Sequence, residues 1–434
     1  MTQIPVGLEA DQLDDSQPGP PPKRQPPGAA YLQLLRLPGA ARFSVAALIG
    51  RMPMSMFGLG TVLLVAASTG RYSLAGLVAG VGSIAYAACA PPLARMTDRF
   101  GQRRVLRPLA AVFAATCILF VACAELHSPS WVLIVTGALA GASMPSLGSM
   151  VRARWSALLG DSPALHSAFA LESVADEMIF VVGPALVTLL ATSLPPAGVL
   201  VAMALAVAGT LALAAQRNTE PKPRALATLD SDAPGRIGRL PASGLVIMAP
   251  VYFWLGAQFA SIDLSTVDFA QRHGHKPLAG LILGTYAFGS AIGGLWYGSR
   301  HWRAPLERRF AITLALTVAG VATFWAQPGL ITLDLSALVA GLTISPTLIA
   351  GYGLIERQAP PTRRTEAMTW LSSAISVGVA LGSAACGHII DTLGPRWGYG
   401  FAALCGAVAI TICVLGLRRL RASYAPGVEQ WVDA

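Results

Sequence analysis

Three carboxylic acids crowd into one apolar stretch, Ala170-Leu171-Glu172-Ser173-Val174-Ala175-Asp176-Glu177-Met178-Ile179-Phe180. Helical spacing sets Glu172 and Asp176 about 40° apart, on one face, and turns Glu177 about 140° from Glu172, toward another neighbour. A charged side chain at mid-membrane costs on the order of 2.5–3.5 kcal/mol even on the lenient insertion scale, so it needs a partner or a wet cavity. The three acids cannot all be ionised in hydrocarbon; at least one is neutralised by a cation or holds a proton. A carboxyl group that gains and loses its proton as its access to water changes is what proton coupling requires. The competing reading is a structural ion pair, with Arg51 or with the Arg152 and Arg154 end of a neighbouring run.

Other residues invite the same two readings. Arg51, in Gly50-Arg51-Met52-Pro53, is either an anion-binding or ion-paired arginine facing a cavity, or a side chain snorkelling to the interface. Gln258, Ser261, Asp263 and Ser265 read as a polar ribbon, with Asp263 a site for substrate or proton and Asp268 placed at the interface. Pro145 and Pro346 interrupt corresponding apolar runs and free backbone carbonyls. Paired interruptions of that kind point toward a binding site. Pro184, after Gly183, is a third break. The six cysteines are scattered through apolar runs without metal-ligand spacing, and no nucleophile–base arrangement stands out. No metal, no cofactor and no enzymatic chemistry are expected.

Such residues need elements that hold them at depth. Of the 434 residues, 54% are hydrophobic and 12% charged, roughly half the charged share of a soluble domain. Runs of ~20 apolar residues, long enough to cross a bilayer, lie near 43–67, 74–93, 107–124, 131–151, 166–190, 197–215, 243–267, 278–298, 310–326, 331–354, 366–389 and 398–417. Soluble fold classes are excluded. The fold expected is an all-α membrane protein of twelve transmembrane helices. A disordered tail (1–42), six helices (43–215), a flexible linker (216–242), six more helices (243–417) and a short tail (418–434) complete the division. Of the 31 Lys and Arg residues, only Arg71, Arg272, Lys276 and Arg396 fall in odd-numbered gaps, and Arg51 alone lies in a span. Positive residues mark cytoplasmic loops, so both termini are expected in the cytoplasm. The net charge of +9 then reflects topology, with the lipid bilayer and not nucleic acid as partner. Arginine far outnumbers lysine and alanine is abundant, a bias of GC-rich bacterial genomes that points to a plasma membrane.

The two halves look duplicated: Leu74-Ala75-Gly76-Leu77-Val78-Ala79-Gly80 recurs as Leu278-Ala279-Gly280-Leu281-Ile282-Leu283-Gly284. Two pseudo-symmetric six-helix bundles joined by a central loop resemble the major facilitator superfamily. The loop Ala94-Arg95-Met96-Thr97-Asp98-Arg99-Phe100-Gly101-Gln102-Arg103-Arg104-Val105-Leu106 resembles that family's signature at Asp98, Arg99, Gly101, Arg103 and Leu106, with Ala94 and Met96 departing from it. The second half keeps Gly298 and Arg300 but places Trp302 where the acid would fall. The resemblance implies that Asp98 latches the halves by contacting the start of span eleven near Thr365 and Glu366, with Arg99, Gly101 and Arg103 completing a gating loop. It also implies that spans one and seven line a central cavity. Gly183-Pro184 is similar to part of the exporters' antiporter signature, although Ala185-Leu186-Val187 follows. The function expected is a monomeric secondary transporter working by alternating access, exporting a small organic molecule against H+. Proton-coupled uptake of a small anionic metabolite recruited by Arg51, and a non-transporting sensor or scaffold, are the alternatives.

Overall fold

A computed structural model describes residues 27–160, 162–223, 242–275, 278–300 and 302–422. All regular elements among them are helices, and twelve are long and apolar enough to cross a membrane: Ala40–Thr69, Leu74–Phe100, Gln102–Glu125, Ser130–Leu159, Ala164–Ala191, Pro195–Ala215, Gly244–Arg272, Leu278–Gly298, Leu306–Ala326, Leu330–Gln358, Pro361–Leu393 and Pro395–Leu417. They are spans one to twelve below. Large apolar side chains such as Ile118, Leu119, Leu335 and Leu415 remain exposed on the helix surfaces, as lipid-facing positions require.

The halves repeat one another in detail. Gly70 and Gly274 both adopt positive φ (70° and 74°) where spans one and seven end, a conformation only glycine enters freely. Spans three and four are tied by the Thr116–Ser143 hydroxyl pair at 2.9 Å, and spans nine and ten by Thr317 donating to Thr343 at 2.9 Å. Without a hydrophobic force between helices in lipid, small residues bring backbones together. Gly141 sits against the backbone of Gly82, and Gly378 against that of Phe253.

One apolar core straddles both bundles on the face that carries the basic loops. It joins Phe43, Trp155 and Phe169 of the first half to Tyr252, Phe310 and Leu371 of the second. Toward the opposite face the core divides. One cluster, around Leu64, Phe113 and Phe120, belongs to the first bundle, and another, around Ile282, Phe324 and Tyr399, to the second. The bundles therefore share one core at the basic face and keep separate cores away from it.

Two segments differ from the sequence reading. Pro27–Arg36, inside the stretch expected to be a disordered tail, is a helix: Leu34 is buried and the Tyr31 hydroxyl donates to the Leu295 carbonyl at 2.7 Å. The start of the expected flexible linker is anchored. The Arg154 guanidinium donates to the Gln216 carbonyl (3.0 Å) and the Thr219 hydroxyl (2.8 Å), and Glu220 accepts from the Arg103 amide (3.0 Å). A carboxylate there meets the unsatisfied amides that open span three. Residues 1–26, 224–241 and 423–434, including most of the linker, lie outside the described residues.

Candidate functional site

Span one breaks where Pro53 cannot donate an amide: helices Ala40–Arg51 and Pro53–Thr69 meet at Met52. The break sets Arg51 against span five. Its guanidinium pairs with Glu172 Oε2 at 2.5 Å and Asp176 Oδ1 at 2.7 Å, while Arg152 reaches Asp176 Oδ2 at 2.8 Å. Trp155 Nε1 (2.8 Å) and Ser44 Oγ (3.0 Å) donate to Glu172 Oε1. Arg51 is 2% exposed, so it neither snorkels to the interface nor presents a free face to an anion. Two cations and two carboxylates here balance in charge. Arg152 also lies over the Tyr352 ring of span ten, 4.3 Å from its centroid, and thereby touches the second bundle.

Glu177 faces away from this group, as its helical angle requires. Ser290 of span eight donates to Glu177 Oε1 at 2.6 Å, and the Ser345 hydroxyl of span ten lies 3.4 Å from the same oxygen. Span ten is interrupted just before Ile344, two residues ahead of Pro346, and the Ser345 amide bonds Ser290 Oγ at 3.2 Å in place of an intrahelical carbonyl. Glu177 thus belongs to one bundle and is held by the other, about 20 Å of helix from either end of its span. Among the described residues no cation pairs with it.

Asp263 is exposed on the surface of span seven and forms no hydrogen bond or ion pair among the described residues. Tyr286, one turn outward of Ser290 on span eight, lies within electrostatic reach of both Asp263 and Glu177. The polar ribbon is not one surface. Gln258, Ser261 and Ser265 are fully buried, and Gln258 packs on Gly406 and Val318 inside the second bundle. Helical spacing puts Gln258 about 140° from Asp263, which separates the two. Asp268 pairs with Arg272 at 2.7 Å near the outer end of the span.

On the basic face Asp98 Oδ2 accepts the Glu366 amide at 2.9 Å, in the first turn of span eleven. Thr369 donates to Ser149 at 2.6 Å alongside it. Gly101 turns the chain at φ 91°, Arg103 lends its amide to Glu220, and Arg99 is exposed over the Phe100 ring. The second half lacks this acid and closes differently. His166 Nε2 donates to the Tyr297 carbonyl (3.0 Å), Ser167 to Gly298 (2.6 Å), and Tyr31 to Leu295, all at the carbonyl end of span eight. Among the breaks, Pro145 splits span four at Met144–Ser146. Pro184 splits nothing, because its helix runs unbroken from Ala164 to Ser193. Sequence reasoning did not reach Tyr31 or Ser290. They are common residue types whose meaning comes from the opposite bundle.

Twelve membrane-length helices in two bundles that share one core at the basic face and are joined at mid-depth by buried polar groups have the architecture of a membrane carrier. The chain belongs to the Major Facilitator Superfamily, whose model matches residues 43–262 and 246–433; it is a secondary transporter of a small molecule. No curated protein matches its sequence significantly. Its fold is similar to the crystal structure of the human organic anion transporter MFSD10 (TETRAN), at 18% identity and TM-score 0.63 over 91% of this chain and 100% of that one. A bacterial homologue of the iron transporter ferroportin, outward-facing with soaked iron, is 14% identical with TM-score 0.64 over 87% and 98%. The transporter FucP in its outward conformation is 14% identical with TM-score 0.65 over 88% and 99%. At these identities the likeness concerns the fold.

Proposed function

We propose that this chain is a proton-coupled exporter of small organic molecules in a bacterial plasma membrane, with Glu177 as the group that carries the proton. The basic loops support a cytoplasmic assignment for the fused face and for both termini, which makes the described form open to the outside. The observation that carries the reading is the Ser290–Glu177 hydrogen bond, a mid-membrane link between bundles that lacks a cation among the described residues. A hydrogen bond to a carboxylate is roughly twice as strong as one between neutral groups. A proton arriving from outside therefore weakens this link and lets the fused face open. The proton leaves inward, and substrate enters from the inside for the return. Glu172 and Asp176 are spent on Arg51 and Arg152 and act as structure.

Spin labels at exposed Arg104 and Arg308, in a chain whose six cysteines are replaced, report the fused face directly. Lowering the pH is expected to lengthen their separation in the parent protein. Glu177→Gln should show the long separation at every pH and abolish gradient-driven flux. A pH response that survives the substitution refutes the role of Glu177. Flux in inverted against right-side-out vesicles decides the direction.

A further inference from the structure

The cations at mid-depth are consumed and two of the acids are not. Arg51 and Arg152 divide themselves between Glu172 and Asp176, so that group offers a ligand no net charge. Asp263 is bonded to nothing among the described residues, and Glu177 is held only by hydroxyls. A third group points to the same place. Tyr286 is 8% exposed, its hydroxyl is closed off without a hydrogen-bond partner, and it lies within electrostatic reach of both carboxyls. A buried phenol left without a partner keeps the cost of its lost hydration.

The depths form a series. Glu177 and Ser290 sit at mid-membrane, Tyr286 about 6 Å further out along span eight, and Asp263 about 14 Å from the Arg272 end of span seven. This series faces the side on which the two apolar cores separate. Phe259, one turn before Asp263 and partly buried, adds an aromatic ring on that side of span seven. Aromatic faces and carboxylates together favour an organic cation over a metal ion, which would call for a tighter set of oxygen ligands.

Building on the transport reading above, we infer that the central cavity binds an organic cation between Asp263 and Glu177, with Tyr286 completing the site. Cation and proton then compete for the same carboxyls. The charge nearest Glu177 on its own helix is Asp176, already paired, and from the other bundle Tyr286 lies within electrostatic reach of both Glu177 and Asp263. An anion finds no free cation at this depth among the described residues. Arg51 as the recruiter of an anionic metabolite loses its basis.

Equilibrium binding to the purified full chain, with no gradient, tests the charge preference using two ions of one shape. Tetraphenylphosphonium is expected to bind and tetraphenylborate not to. Asp263→Asn and Glu177→Gln should each weaken the cation at least tenfold, whereas Asp263→Glu should restore most of it. Asp263 bonds nothing among the described residues, so Asp263→Asn is expected to elute and melt like the parent protein. Equal or tighter binding of the borate, or cation binding indifferent to both neutral variants, overturns the inference. So does failure of every cation in a series from tetramethylammonium to tetraphenylphosphonium. A chain that binds the cation but whose basic face ignores pH keeps this site and loses the coupling reading instead.

Discussion

At the scale of single residues, the balance around Arg51 separates structure from function. Breaking a buried ion pair by removing one partner costs about 3–5 kcal/mol, because a charge is left behind without compensation. Arg51→Ala is therefore expected to lower the melting temperature in detergent sharply. Arg51→Met combined with Glu172→Gln should recover most of the loss, since Asp176 keeps Arg152 and the new amide still accepts from Trp155 and Ser44. A double variant no more stable than Arg51→Ala would show that the pairing is not what the arginine supplies. The angular argument from the sequence located Glu172 and Asp176 on one face because helical spacing is local information. It also turned Glu177 away correctly, yet the hydroxyls it meets belong to spans eight and ten, over a hundred residues on. Gln258 was misplaced for the converse reason: a cluster of polar letters was taken as one surface, although Gln258 and Asp263 face different neighbours.

Among the elements, prolines act according to what surrounds them. Pro346 has no amide to give Leu342, so the helix restarts at Ile344 and the Ser345 amide turns to Ser290. Pro346→Ala allows a continuous helix in which that amide takes the Gly341 carbonyl. The link to Glu177 then loses one supporting hydrogen bond, on the order of 1 kcal/mol. The pH at which the basic face opens should move in the spin-label measurement, whereas Pro184→Ala should leave it unchanged. Identical behaviour of the two variants would remove Pro346 from the mechanism. Both prolines were visible in the sequence. Only packing decides that span five absorbs its proline within an unbroken helix while span ten does not.

For the whole molecule, twelve spans and their division into halves were legible because hydropathy, loop charge and a recurring Leu-Ala-Gly segment are all linear signals. Which face is closed is not linear information, since one sequence must support both forms. Among the described residues, the polar contacts of the closure include Asp98 on the first turn of span eleven, Thr369 on Ser149, and donors of the first half on the last carbonyls of span eight. A carboxylate at a helix start contributes about 0.3–1 kcal/mol there, more when partly buried. Asp98→Asn should thus shift the population toward the basic-face-open form by roughly fivefold for each 1 kcal/mol lost, read by the same labels. A population unchanged within error would mean that the apolar core alone holds the face shut.

The Pro27–Arg36 helix belongs to neither bundle, yet Tyr31 ties it to span eight and a three-residue turn with Gly39 at φ 81° joins it to span one. Burial pushes the Tyr31 phenol up to about 12, so it stays a donor across the working range of pH. Its bond to the Leu295 carbonyl is made in the form closed at that face, and loss of the bond when the face opens is the expected outcome. By thermodynamic reciprocity, whatever grips this helix in its docked position favours the form open on the other side. A ligand that prefers that form tightens the grip by the same factor. If the proposed membrane site is occupied, its occupancy is expected to read out as a change in how firmly this ten-residue helix is held.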